Sequence, residues 1–105
     1  MKKNYFFYFI LCTIFLFNFS ITKSDTTLDL GKKIFLNKGN CATCHTLTDA
    51  GSNGQIGPNL DQIRPDKNRV ISAMTNGIGV MPSYIGELST EEINAVAVYV
   101  YESSK

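Results

Sequence analysis

The sequence predicts one small all-α domain of three to five helices joined by long loops, behind a separate N-terminal leader. Three observations carry this. Apolar residues recur at helical spacing in three stretches after residue 24. No strand-like alternation of useful length appears there. The full 105 residues leave no room for a second core.

The leader comes first. Lys2 and Lys3 form a short basic start, Tyr5 to Ile21 is almost wholly apolar and aromatic, and Ser20, Thr22 and Ser24 close it with small residues. Basic, apolar, small is the order of an export signal, so residues 1–24 read as the signal and 25–105 as the mature domain. Cleavage is expected after Ser24, with Thr22 nearly as good. An uncleaved membrane anchor is the alternative, since the apolar run is just long enough to span a bilayer. A lipoprotein signal at Cys12 fits less well, because Leu11 stands where a small residue is needed.

Removing the leader changes the charge. The whole chain carries +1. Without Lys2, Lys3 and Lys23, seven Lys and Arg face nine Asp and Glu, a mildly acidic balance of −2. No basic stripe remains for nucleic acid. Only Cys41 and Cys44 survive, too close in sequence for a disulfide to stabilise the fold much. A small exported domain usually needs a staple of some kind, and here it must be something else.

The elements follow in order. Leu28, Gly31, Ile34 and Phe35 share one face of a first helix, which Asn37-Lys38-Gly39-Asn40 ends. A second helix starts near Asp66, a good N-cap just after Pro65; Val70, Ile71 and Met74 form its apolar stripe, and Asn76-Gly77 stops it. The third is the best marked. Ser89-Thr90-Glu91-Glu92 is a capping box, with Leu88 and Ile93 placed to staple across it. Ile93, Val96, Ala97 and Val100 then recur at helical spacing, with Tyr99 at the edge.

The stretch from Thr46 to Arg64 breaks the pattern. It holds Gly51, Gly54, Gly57 and Pro58 among short polar residues and has no periodicity. A structureless loop of about 20 residues is unusual in so small a domain, unless it wraps a large apolar group.

Just before that loop stands Cys41-Ala42-Thr43-Cys44-His45. Two thiols about one helical turn apart, followed at once by an imidazole, match covalent haem attachment: each thiol adds to a vinyl group, and the histidine ligates the iron. A thioredoxin-type disulfide would need a preceding strand, which is not visible. A zinc site would need four ligands, and residues 25–105 offer two cysteines and a single histidine. The second ring nitrogen of His45 needs an acceptor to fix the ring, and Pro58 in Gly57-Pro58-Asn59-Leu60 is the candidate carbonyl. For the opposite axial position Met74 and Met81 compete. Met74 lies on the apolar stripe of the middle helix and reads as core. Met81, in Asn76-Gly77-Ile78-Gly79-Val80-Met81-Pro82, lies on a loop able to bring backbone close to a flat ring, and is favoured. A histidine–methionine pair raises the potential and leaves no open coordination position, which suits electron transfer better than catalysis.

At these residues the chain resembles the class I c-type cytochromes, specifically the short bacterial monohaem kind near the c6, c551 and c5 groups, over nearly all of residues 25–105. Cys41, Cys44 and His45 match the attachment motif, Gly57-Pro58-Asn59-Leu60 the proline loop, and Met81-Pro82 the axial methionine segment. Gly31 and Phe35 look like the N-terminal helix contacts, and Tyr99 like their aromatic partner on the C-terminal helix. The resemblance implies the small cytochrome c fold, wrapped around one covalently bound haem c with one edge exposed. The chain departs from the mitochondrial type in having no tryptophan and no evident lysine ring; Lys32, Lys33 and Lys38 read as a solvated helix face.

The expected function is therefore an exported, periplasmic electron carrier of the respiratory kind, not an enzyme. It would pass single electrons between larger redox proteins, one donor and one acceptor, touching the membrane only through an uncleaved N-terminus. A monomer is expected. The alternative is a haem-bearing subunit of a periplasmic dehydrogenase complex.

Overall fold

The structure, a computed structural model, describes residues 23–104, with side chains from Thr26 onward. The export signal assigned to residues 1–24 lies outside the described residues, apart from the backbone of Lys23 and Ser24. Four α-helices are described: α1 (Lys23–Leu36), α2 (Leu60–Ile63), α3 (Lys67–Asn76) and α4 (Thr90–Ser103). Two 3-10 turns, Cys41–Thr43 and Thr48–Ala50, and a two-residue antiparallel pair, β1 (Thr46–Leu47) with β2 (Ser52–Asn53), lie between α1 and α2. No described helix is long and apolar enough to cross a membrane.

The helix ends lie where local chemistry puts them. Asp66 accepts from the Arg69 amide at 2.8 Å and starts α3, while the Gly77 amide closes it on the Ala73 carbonyl at 2.8 Å. At α4 the capping box is complete: Ser89 Oγ accepts from the Glu92 amide at 3.1 Å and the Glu92 carboxylate from the Ser89 amide at 2.9 Å. Such a cap contributes about 1 kcal/mol.

The main packing is α1 against α4, with α3 against α4 on another side. The crossing is close because Gly31 has no side chain: a Cβ there would run into the Ala95 carbonyl and lie 2.5 Å from Tyr99 Cβ. One turn on, the Phe35 and Tyr99 rings meet edge to face, centroids 5.8 Å apart. Phe35, Leu47, Met74 and Val96 are fully buried in one core, each contributing roughly 1.5–3 kcal/mol by removal from water.

The Thr46–Arg64 stretch is not structureless, which corrects the expectation from its lack of periodicity. Its polar residues order it by bonding backbone groups locally. Ser52 Oγ accepts from the Leu47 amide at 3.0 Å and donates to the His45 carbonyl at 2.9 Å. Asn59 caps α2 through the Gln62 amide, and the Asp61 carboxylate accepts from both the amide and hydroxyl of Thr48, at 2.9 and 2.8 Å. These bonds leave no trace in hydrophobic spacing.

Candidate haem site

Asn40 takes a left-handed conformation (φ 52°), its side chain accepts from the Thr43 hydroxyl at 2.6 Å, and the chain turns sharply after α1. The Cys41 carbonyl then accepts from the amides of Cys44 and His45 at 3.1 and 2.9 Å. This is one tight helical turn, so the two cysteines and the following histidine share one wall. Both thiols are free. Cys41 is buried, and burial pushes its thiol up to about 11. It therefore enters its apolar setting uncharged, as it would remain after conversion to a thioether.

His45 is held from two directions. Its Nδ1 lies 2.8 Å from the Pro58 carbonyl. A carbonyl can only accept, so Nδ1 carries a proton and Nε2 is the ring nitrogen not engaged by this bond. Gly57 lies directly against the ring: a Cβ there would run into Cε1 and come within 2.8 Å of Nδ1. The Gly57 amide also donates to the Cys44 carbonyl at 2.7 Å, and Thr46 Oγ1 donates to the Gly54 carbonyl at 2.9 Å. The long loop thus folds back onto the attachment motif.

The other wall is the segment after α3. Ile78 and Met81 exchange backbone hydrogen bonds at 3.0 and 2.9 Å, which makes a tight turn of Ile78–Met81. Met81 is half-buried, whereas Met74 is 1 % exposed and belongs to the core cluster.

Between these walls lies a cavity of about 400 Å³. All five residues singled out from the sequence (Cys41, Cys44, His45, Pro58 and Met81) line it, as does Met74. Phe35, Leu60 and Val96 supply apolar surface at its inner side. The donor set fits haem c: two free thiols, an imidazole with its outer nitrogen already engaged, and thioether sulfur on another segment. Among the described residues no three His, Cys, Asp or Glu side chains are placed to hold a metal ion between them.

Of the lining residues that the sequence did not single out, Arg69 and Tyr84 carry polar groups. Among the described residues, Arg69 is the one Lys or Arg on the cavity. It directly precedes Val70 and lies one turn before Ala73, so helical spacing alone could have placed it at the edge of the stripe. Tyr84 also lines the cavity, and its hydroxyl donates to the Gly39 carbonyl at 2.6 Å. No local signal marks that contact, which joins residues 45 apart.

Comparison with known proteins agrees with this geometry. A family model described as cytochrome c oxidase, cbb3-type, subunit III, matches residues 26–100. The cytochrome c6 of Gracilaria tenuistipitata var. liui is 36% identical, covering 93% of this chain and 92% of its own. That of Synechocystis sp. is 35% identical over 90% of this chain and 82% of its own. Among solved structures, the crystal structure of the c-type cytochrome SorU from Sinorhizobium meliloti superposes with a TM-score of 0.72 at 51% identity, covering 76% of this chain and 93% of that one. A fold built on the α1–α4 crossing, a cavity lined by the Cys41–His45 motif, and cytochrome c6 relatives that cover 90% or more of the chain lead to one family: the chain belongs to the cytochromes c, as a small class I c-type cytochrome with covalently bound haem c, a monohaem electron carrier and not an enzyme.

Proposed function

We propose that the chain is exported and carries single electrons between larger redox proteins, with Cys41 and Cys44 attaching the haem and His45 and Met81 as its axial ligands. The observation that carries this is the pairing of walls around one cavity: a histidine with Nδ1 engaged on one, the Met81 turn on the other. When bound, haem c supplies a one-electron iron couple. The chain's own residues do the rest. Pro58 fixes the tautomer of His45, and Gly57 fixes the plane of its ring. The apolar inner wall excludes water. Met81 would offer its thioether sulfur to the iron and so keep external ligands out.

Exposed apolar side chains stand beside the cavity mouth, with Val80 86 % and Ile56 67 % exposed. A small apolar patch of this kind suits brief contacts with a donor and an acceptor. Export is supported by the basic, apolar, small order of residues 1–24.

The test is Met81→Ala in the haem-loaded protein. It should retain covalent haem by the pyridine haemochrome spectrum, lose the sulfur-to-iron charge-transfer band, and gain affinity for external ligands. If Met74→Ala does this instead, the axial assignment moves to α3. Dependence of transfer rates on ionic strength would show whether charge steers docking; co-purification of an enzyme at fixed stoichiometry would favour a dehydrogenase subunit over a free carrier.

A further inference from the structure

The segment from Gly77 to Tyr84 carries Met81, and most of its attachments lead back to α3 or to itself. The Gly77 amide bonds the Ala73 carbonyl at 2.8 Å, the Tyr84 amide the Met74 carbonyl at 2.7 Å, and the Ser83 hydroxyl the Thr75 carbonyl at 2.6 Å. Ile78 and Met81 bond each other. The Tyr84 carbonyl accepts from the Glu87 and Leu88 amides just beyond it, Met81 and Tyr84 pack against the core, and among the described residues a single side-chain hydrogen bond spans to a distant segment. The Tyr84 hydroxyl reaches across to the Gly39 carbonyl at 2.6 Å.

Gly39 is itself firmly placed. Its amide donates to the Ile34 carbonyl at 2.7 Å, at the end of α1, and a Cβ on it would lie 3.1 Å from Cys41 Sγ. The phenol therefore ties the methionine-bearing segment to the backbone just ahead of the first haem-attaching cysteine. Among the described residues the tip, Ile78 to Pro82, hydrogen-bonds only within itself, so the segment is fastened through Gly77, Ser83 and Tyr84. Segments with few buried contacts open at low free energy, so one additional bond at their far end changes the open fraction measurably.

We infer that Tyr84 is a positioning residue whose hydroxyl straps the Met81 segment to the attachment segment and limits how often that wall of the cavity opens. This rests on the reading of Met81 as axial ligand. Tyr84 acts through Met81: its ring contributes apolar lining, and its hydroxyl sets the hinge of the loop.

The experiment is Tyr84→Phe in the haem-loaded protein, which deletes the hydroxyl and keeps the ring. One hydrogen bond of this kind corresponds to roughly a twofold to tenfold change in an opening equilibrium. Affinity of the oxidised protein for added imidazole should rise by that factor, and hydrogen exchange at the Ile78 and Met81 amides should accelerate similarly, with haem content and helicity unchanged. In a Met81→Ala background the position is already open, so Tyr84→Phe should add no further affinity. Unchanged affinity and exchange in Tyr84→Phe would overturn the strap. So would an equal gain in the Met81→Ala background, or loss of haem or helicity, which would assign the hydroxyl to the fold as a whole. If Met81→Ala itself leaves imidazole affinity unaltered, the axial reading fails, and exchange at Ile78 and Met81 still decides the strap.

Discussion

The two walls of the haem cavity are built by different means. The histidine wall is a backbone construction: a helical turn at Cys41–Thr43, a loop folded back on it, a proline carbonyl on the imidazole and a glycine under it. Lys32–Asp49 and Lys38–Glu92 ion pairs fasten that side to its neighbours, at 3.4 and 2.9 Å. The methionine wall is a short turn whose tip hydrogen-bonds only within itself among the described residues, hung from α3 and tied across by one phenol. The lesson is that a site can fix one side chain rigidly and hold its counterpart on an element with fewer ties. On the proposed ligation, exchange of an iron ligand is then expected on the Met81 side.

The largest test of this contrast is His45→Ala. It removes the proposed iron ligand from the rigid wall and leaves the Pro58 carbonyl without a donor. Little haem-loaded protein should accumulate on expression, whereas Met81→Ala should still yield covalent haem at near-normal content; equal losses in both would erase the distinction. Gly57→Ala comes next. Its methyl would occupy the space of the imidazole, so the ring or the loop must shift. We expect a loss of about 1–3 kcal/mol in chemical denaturation, together with an altered spectrum of the oxidised haem.

The acid limb sharpens the same comparison more gently. The Tyr99 hydroxyl, and after it Lys32, holds the Asp49 carboxyl below its ordinary 3.8; the Ser89 amide, and after it Lys38, holds Glu92 below its ordinary 4.5. Both groups bind a proton more weakly when folded. Their contribution is thus complete above the ordinary carboxylate range and is lost as pH falls through the lowered folded values. Melting temperature should start to fall below about pH 4.5, and Asp49→Asn and Glu92→Gln should each flatten that slope. Solvent screens both carboxylates, so the changes should be small. The smallest effect belongs to the far end of the methionine segment: Ile85, 63 % exposed, should tolerate Ile85→Ser within about 0.5 kcal/mol in the same denaturation assay.

Much of the site was legible in the residues, because its chemistry lies within one helical turn. Cys41, Cys44 and His45 declare themselves by spacing, and Asp66 and the Ser89–Glu92 box mark helix starts through bonds spanning three residues. The order inside Thr46–Arg64 was not legible. Its side chains bond backbone groups up to 13 residues away, and such pairings have no period. Tyr84 was missed for a related reason, since it meets Gly39 only through tertiary packing, whereas Arg69 lay within reach of helical spacing, one turn before Ala73.

The sequence by itself determined the cofactor chemistry, the end of α1, both ends of α3, the start of α4 and the candidacy of Met81, since all depend on near neighbours along the chain. Only the tertiary structure decided that Gly57 lies against the imidazole, that Gly31 lets α1 meet α4, and that Tyr84 bonds Gly39. Those contacts join residues 12, more than 60 and 45 positions apart. Residues so distant meet only once burial of the apolar faces has chosen how the helices cross. That crossing decides which backbone atoms come within bonding distance, and so how firmly each wall of the cavity is held.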